Sequence, residues 1–209
     1  MLLALVGGFL DAYTYIGRGG VFCNAQTGNI VLLCIAGARG RWFEALAYLP
    51  PILAFMFGVF AAEAIKHNSS KFVRADWAYV VIVFEIAVLA AIGFIPGSAA
   101  NVPVTIVASF AASLQVSSFG KLVDASYATT MSTGNLRSAS QATYLAIVKK
   151  DHQAKMRAIR YYFVIFAFMF GALLGSLVTL YLGIHGIWFA AFILACACVL
   201  LVHAGHGQA

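Results

Sequence analysis

Apolar residues in this chain gather into long runs that are separated by short polar or glycine-rich segments. A run of about 18–20 apolar residues is long enough to cross the hydrocarbon core of a bilayer as a helix. The pattern therefore predicts an all-α integral membrane protein with a single transmembrane domain over residues 1–209. We predict six long helices, over residues 1–16, 44–66, 77–94, 102–119, 161–182 and 187–203.

Two shorter helices lie between these runs, and each opens with the same three residues. Thr27-Gly28-Asn29 opens a helix that ends near Arg39, and Thr133-Gly134-Asn135 opens one that ends at Val148. The first would be about 15 Å long, which is roughly half of the ~30 Å hydrocarbon core. We therefore treat both as half-helices.

The order of matching segments indicates an internal duplication. Leu10-Asp11 corresponds to Leu114-Gln115, ahead of the two Thr-Gly-Asn segments. After them, Ala-Phe-Met-Phe-Gly at 54–58 recurs unchanged at 167–171, and we expect its glycine to let helices pack closely. The predicted repeats are one over about 1–95 and one over about 102–203.

Composition and charge set the environment and the orientation. Hydrophobic residues make up 63% of the chain and charged residues 10%, against about 25% charged in soluble domains. The net charge of +6 comes mainly from segments 66–76 and 149–160, so we attribute it to topology and predict no nucleic-acid partner. Basic loops stay in the cytoplasm, whereas the linkers 96–101 and 183–186 carry no Lys or Arg and belong outside.

Both basic loops fall on the cytoplasmic side only if both Thr-Gly-Asn helices are re-entrant. The predicted fold is six transmembrane helices as two inverted three-helix repeats, each with a re-entrant half-helix, and with both termini cytoplasmic. In transporters built this way the site lies near the midplane, where interrupted helices meet. Arg39 and Arg41 count against this topology because it places them outside.

Free helix N-termini near the midplane would offer unpaired N–H groups and a partial positive charge, which suits a small anion or a carboxylate. A threonine or asparagine of each tripeptide can cap its helix, and the glycine lets a ligand approach the backbone. The alternative is that each tripeptide only caps a helix at a membrane surface. The predicted substrate-binding residues are Gln26, Thr27, Gly28, Asn29, Thr130, Thr133, Gly134, Asn135 and Arg137.

Three polar residues within apolar runs are predicted to form a coupling site or polar pathway: Asp11, Glu85 and Gln115. Intramembrane acids are costly and usually face the bundle interior. We expect the two acids to bind a proton or a cation, the alternative being a structural, hydrogen-bonded acid. Arg137 opposes the dipole of its own helix, so it either meets an anion or one of these acids, or extends to the cytoplasmic interface.

No cofactor or metal site is predicted. The Cys196-Ala197-Cys198 stretch lacks metal-ligand spacing, and Cys23 and Cys34 lie in or beside apolar segments, so we interpret all four cysteines as packing residues. The chain also has no HExxH motif, nucleophile elbow or carboxylate pair. An enzyme is therefore the least favoured class of function.

The segments GGFLDAYTYI, GGVFCNAQTGNIVLL, SLQVSSFG and ATTMSTGNLRSA together resemble the YoaK-like family of bacterial membrane proteins, a domain-of-unknown-function family described as having six transmembrane helices. The resemblance covers nearly the whole chain and implies a bacterial inner-membrane protein, without implying a substrate. Family members often have Asn where this chain has Val116. The family's motif positions fall on Gly8, Asp11, Gln26, Thr27, Gly28, Asn29, Gln115, Thr129, Thr130, Thr133, Gly134 and Asn135.

These features predict a membrane transporter of a small solute, expected to be anionic and to bind at mid-membrane between the two half-helix N-termini. The alternatives are a small-ion channel lined by the same segments and a non-transporting membrane scaffold or accessory protein. The expected partners are the lipid bilayer and the solute or ion, with a homodimer as a further option.

Overall fold

The computed structural model describes residues 1–68, 71–97, 101–119 and 132–206, and these segments are helical with short connections, as the hydropathy pattern predicts. A short 3-10 helix, Gly183–Gly186, joins the last two α-helices. The α-helices are α1 (Leu2–Gly17), α2 (Gln26–Ala38), α3 (Trp42–Asn68), α4 (Lys71–Ile92), α5 (Asn101–Ser118), α6 (Ser132–Val148), α7 (His152–Leu182) and α8 (Ile187–His206).

The two basic segments are more helical than predicted. Helix α4 begins at Lys71, although we expected the polar loop to continue to Asp76. Helix α7 begins at His152 because Asp151 caps it, accepting hydrogen bonds from the backbone N–H groups of residues 153 and 154 at 2.8 and 3.1 Å. A capping aspartate supplies acceptors for N–H groups that the helix leaves unpaired, so it starts the helix inside the basic run.

Glycines bring α1 and α7 into backbone contact. A side chain added at Gly175 would lie 2.5 Å from the carbonyl oxygen of Phe9, and one added at Gly171 would collide with the backbone of Leu5. Gly8 on α1 faces the backbone of α7 in the same way. The predicted packing role of Gly171 is confirmed, and Gly175 packs in the same way. Helices α1 and α7 run parallel, because Gly171 faces Leu5 and Gly175, four residues later, faces Phe9.

The packing partners of the first four helices recur among the last four. Helix α1 packs on α7, and α3 packs on α5. Helix α2 packs on α3, as α6 does on α7, and the pair α1–α8 is matched by α4–α5. The helices correspond in order: α1 to α5, α2 to α6, α3 to α7 and α4 to α8. When each helix of a packed pair is replaced by its counterpart, the result is the matching pair.

Hydrogen bonds between distant parts of the chain show which helix ends lie together. At one end, the Trp188 indole donates to Ala90 O at 3.2 Å, beside the 3-10 helix. At the other, the Tyr79 hydroxyl donates to Leu201 O at 3.3 Å. The Lys66 ammonium donates to the carbonyl of Ser117, which joins the C-terminal ends of α3 and α5.

The outer surface of the molecule is apolar over much of its length. Two stretches are long and apolar enough to cross a membrane, Trp42–His67 and His152–His203, with mean hydropathies of 1.9 and 2.4. Only 33% and 22% of the residues in their most apolar windows are buried, whereas a core helix of a soluble protein would be mostly buried. One face of α7 carries an exposed stripe at three- and four-residue spacing, formed by Phe163, Phe166, Phe170, Leu173, Leu177 and Leu180.

Candidate functional site: a buried acidic centre

The loop between α1 and α2 turns back along α1. The backbone N–H of Asn24 donates to Asp11 Oδ1 at 2.7 Å, and the Asn24 side-chain amide donates to Gly7 O at 3.3 Å. Asp11 lies six residues before the end of α1, so the chain has returned by about 9 Å at 1.5 Å per residue. Helix α2 therefore starts deep beside α1 rather than at its end.

The Asp11 carboxyl occupies the start of α2. Its Oδ1 accepts hydrogen bonds from the N–H of Asn24, from that of Ala25, the N-cap residue of α2, at 3.4 Å, and from the Cys23 thiol at 3.6 Å. We predicted that this helix N-terminus would receive a solute anion. In the structure the protein's own carboxyl group lies at this place, where N–H groups attract negative charge, so the binding of a solute anion at α2 stays a prediction.

Two oxygens of this centre have no hydrogen-bond partner. Asp11 Oδ2 and Asn24 Oδ1 are buried and unpaired. The two residues are 5% and 7% exposed. Buried polar atoms are nearly always hydrogen-bonded, and those that are not call for an explanation such as a bound ion, a proton or water.

A second acid lies in the same interior. Glu85 on α4 is 1% exposed, and its Oε2 accepts a hydrogen bond of 2.8 Å from the Gln115 side-chain amide of α5. Its other oxygen, Oε1, is buried without a partner. Cys23, which contacts Asp11, is also close enough to Glu85 for an electrostatic interaction. The sequence identified Asp11, Glu85 and Gln115 separately but did not reveal the bond between the last two.

Neither acid is paired with a basic side chain of the described residues. Within the described segments, the hydrogen-bond donors to Asp11 and Glu85 are amides and a thiol. Arg137 is exposed. The predicted option that Arg137 pairs with Asp11 or Glu85 is therefore wrong. Its position on the surface of α6 agrees with the other option, in which the side chain extends outward.

The first Thr-Gly-Asn segment is built into its own loop. The buried Asn29 side chain accepts from the Phe22 N–H at 2.9 Å and donates to the Phe22 carbonyl at 2.7 Å and to Gln26 Oε1 at 2.8 Å. A side chain added at Gly28 would lie 2.9 Å from the Phe22 ring. Helix α2 begins before this segment and has no side-chain cap, so Thr27 and Asn29 are not the predicted caps.

The second Thr-Gly-Asn segment resembles the first in the exposure of its threonine and the burial of its asparagine. Helix α6 begins at Ser132, one residue before the tripeptide. Thr133 is exposed and Asn135 is buried, like Thr27 and Asn29 at the first copy, whereas Gly134 is exposed and Gly28 is half-buried. A side chain added at Gly134 would meet none of the described residues within 4 Å. Thr130 and Thr129 lie outside the described residues.

Sequence reasoning missed Arg18, Asn24 and Cys23. Arg18 is completely buried and binds the C-terminal end of α4. An arginine among glycines, between two apolar segments and without a neighbouring basic residue, was a signal that could have drawn attention to it. The role of Asn24 depends on the return of the loop to Asp11, which no local pattern reports.

The fold and this centre define a helical protein with an apolar outer surface and two buried carboxyl groups, each with one oxygen that has no hydrogen-bond partner among the described residues. The chain belongs to the family described as "Protein of unknown function (DUF1275)", which matches residues 1–200. The resemblance drawn from the Thr-Gly-Asn neighbourhoods is thereby confirmed. No curated protein and no solved structure matches the chain.

Proposed function

We propose that this protein is a multi-pass membrane transporter that moves a small solute together with a proton or a cation through the acidic centre. The observation that carries the proposal is the pair of buried carboxyls, Asp11 and Glu85, each with an unpaired oxygen and without a basic partner among the described residues. Isolated buried carboxylates are so costly that they bind a proton or a cation, and acids inside membrane helices usually serve transport.

The arrangement in the bilayer follows the six-crossing topology. Helices α1, α3, α4, α5, α7 and α8 cross, and α2 and α6 are half-helices. The parallel run of α1 and α7, the matched packing pairs and the grouping of helix ends support this topology. Arg41, which the topology places outside, forms a 2.8 Å salt bridge with Glu44 near the start of α3, so its charge is locally balanced. Both termini then lie in the cytoplasm of a bacterial cell.

The acidic centre favours a positively charged or proton-linked cargo over a free anion at α2. Asp11 already binds the N–H groups at the start of that helix, and the unpaired atoms beside it are oxygens. Oxygen acceptors bind protons and hard cations. In the cycle that we propose, Asp11 and Glu85 take up the positive charge from one side and release it to the other when the helices around the centre rearrange.

Proteoliposomes containing a pH-sensitive dye test this proposal. We expect protein-dependent proton flux that responds to gradients of small amines, alkali cations or small carboxylates presented in turn. Asp11→Asn and Glu85→Gln should reduce the flux at least tenfold, because the amides keep the shape of the side chains but cannot carry a proton.

Glu44→Gln is the matched control, since Glu44 is an exposed acid that is already paired with Arg41. This variant should retain the parent flux. Folded protein that gives no flux with any gradient, or an Asp11→Asn variant as active as the parent, would contradict the proposal. Unitary currents in electrical recordings would assign the protein to the channels instead.

A further inference from the structure

Arg18 forms the most extensive side-chain network in the described part of the chain. Its guanidinium donates from Nη2 to the carbonyls of Ile92 at 3.1 Å and Ile95 at 2.8 Å. Nη1 donates to Pro96 O at 3.3 Å, and Nε donates to the Tyr13 hydroxyl at 3.1 Å. One side chain thus joins the end of α1 to the end of α4.

The partners of this buried cation are all neutral. A buried charge without a countercharge is costly, and here only the partial negative charge at the C-terminus of α4 offsets it. Water would hydrate the guanidinium well, so the closed arrangement competes with an open one in which Arg18 is solvated. A lysine could not replace this arginine, because the planar fork is what reaches several carbonyls at once.

The same network extends to the turn between α7 and α8. The Tyr13 hydroxyl that accepts from Arg18 donates its own hydrogen to Ile184 O at 2.9 Å. The His185 ring bonds Gly93 O at 3.1 Å a short distance away. Arg18 and Tyr13 therefore hold α1, α4 and the 3-10 helix together at one end of the molecule, which the six-crossing topology places outside.

The loop that starts at Arg18 leads directly to the acidic centre. Gly19 and Gly20 follow with φ values of 90° and 76°, a left-handed conformation that glycine adopts without strain. Five residues after Arg18, the Cys23 thiol contacts Asp11. The loop is thus attached to α4 at its outer end and to Asp11 at its inner end, with a two-glycine hinge just inside the outer attachment.

We propose that Arg18 and Tyr13 form the outer gate of the acidic centre: release of Arg18 from the end of α4 lets the loop move at Gly19-Gly20 and opens Asp11 to water from that side. This inference rests on the proposed transport function. The test measures the labelling of a cysteine and needs no solute. A failure of the gate proposal can therefore be distinguished from a failure of the proposed transport function.

Cys23 is a native reporter of the gate, because it is 0% exposed and contacts Asp11. In a Cys34→Ala, Cys196→Ala, Cys198→Ala background, a charged, membrane-impermeant thiol reagent is applied to right-side-out or inverted vesicles. We expect slow labelling of the parent from outside. Arg18→Ala should raise that rate about tenfold or more, which corresponds to about 1.4 kcal/mol.

Two further variants separate gating from general damage. Tyr13→Phe keeps the ring but removes the hydroxyl, and it should raise outside labelling by a smaller factor even if Arg18→Ala does not fold. Arg39→Ala, which removes an exposed arginine from the end of α2, should label like the parent. Unchanged labelling in both Arg18→Ala and Tyr13→Phe, or an increase that is equal from both sides or shared by Arg39→Ala, would overturn the proposal.

Discussion

The two Thr-Gly-Asn segments have the same letters and similar exposure, yet they differ in what surrounds them. At the first, the Asn29 side chain hydrogen-bonds the backbone of Phe22, and the Phe22 ring lies against Gly28. The Asp11 carboxyl lies at the start of the helix. At the second, none of the described residues restricts the space at Gly134. At the first copy the preceding loop, rather than the tripeptide itself, supplies the groups that fill the start of the helix.

The difference also separates two roles for the glycine. Gly28 is needed because the Phe22 ring, stacked on Tyr15 at 4.7 Å between centroids, leaves no room for a side chain. Gly134 meets no such restriction in the described residues. Substitutions at matched positions can therefore show whether the first segment is structural in a way that the second is not.

The largest effect is expected from Asn29→Ala. The substitution leaves the Phe22 N–H and carbonyl without partners inside the protein, and each unsatisfied buried group costs about 1–3 kcal/mol. We expect the free energy of unfolding to fall by about 2–4 kcal/mol, measured by thermal and denaturant unfolding in detergent. Asn29→Ala protein as stable as the parent would show that the loop 18–25 does not depend on this clamp.

A loss of stability of intermediate size is expected for Gly28→Ala, and no loss is expected for Gly134→Ala. The added methyl at residue 28 must displace the Phe22 ring, and overpacking of this kind costs about 1–3 kcal/mol. At residue 134 the methyl has room, and alanine's helix propensity makes the change neutral or mildly stabilising. Combining Gly28→Ala with Phe22→Ala should relieve the clash. Equal melting temperatures for the two single variants would contradict the comparison.

The smallest effect is expected from Thr27→Val. Thr27 is exposed and does not cap α2, so the change should alter the free energy of unfolding by less than about 0.5 kcal/mol. Asp151→Ala is the informative counterpart, because Asp151 caps α7 through two backbone N–H groups and its loss should cost about 1 kcal/mol. A Thr27→Val loss as large as that of Asp151→Ala would restore the capping role.

Much of the helical fold could be read from periodicity and hydropathy. Runs of apolar residues predict helices whatever their neighbours are, so α1 lies within one residue of its predicted range. The glycines of α7 were likewise assigned correctly to helix packing, because small residues in apolar helices have few other uses. Helix starts were less well predicted: Asp151 starts α7 inside a run that its charge had marked as a loop.

The candidate site was only partly predictable for a physical reason. The cost of burying a carboxyl is a property of the residue and its apolar surroundings, so Asp11 and Glu85 were recognisable along the chain. Their partners are not local: Gln115 is 30 residues from Glu85, and Asn24 is 13 residues from Asp11. Such bonds depend on how the helices pack.

By itself, the sequence determined that the chain is helical and largely apolar, which residues recur between its halves, and which acids lie in apolar runs. Those properties follow from the free energy of transferring each residue out of water and from local backbone preferences. The tertiary structure alone decided that Asp11 bonds the N–H groups at the start of α2, that Glu85 bonds Gln115, and that Arg18 joins α1 to the end of α4. These are choices among partners that the chain brings together only when it folds.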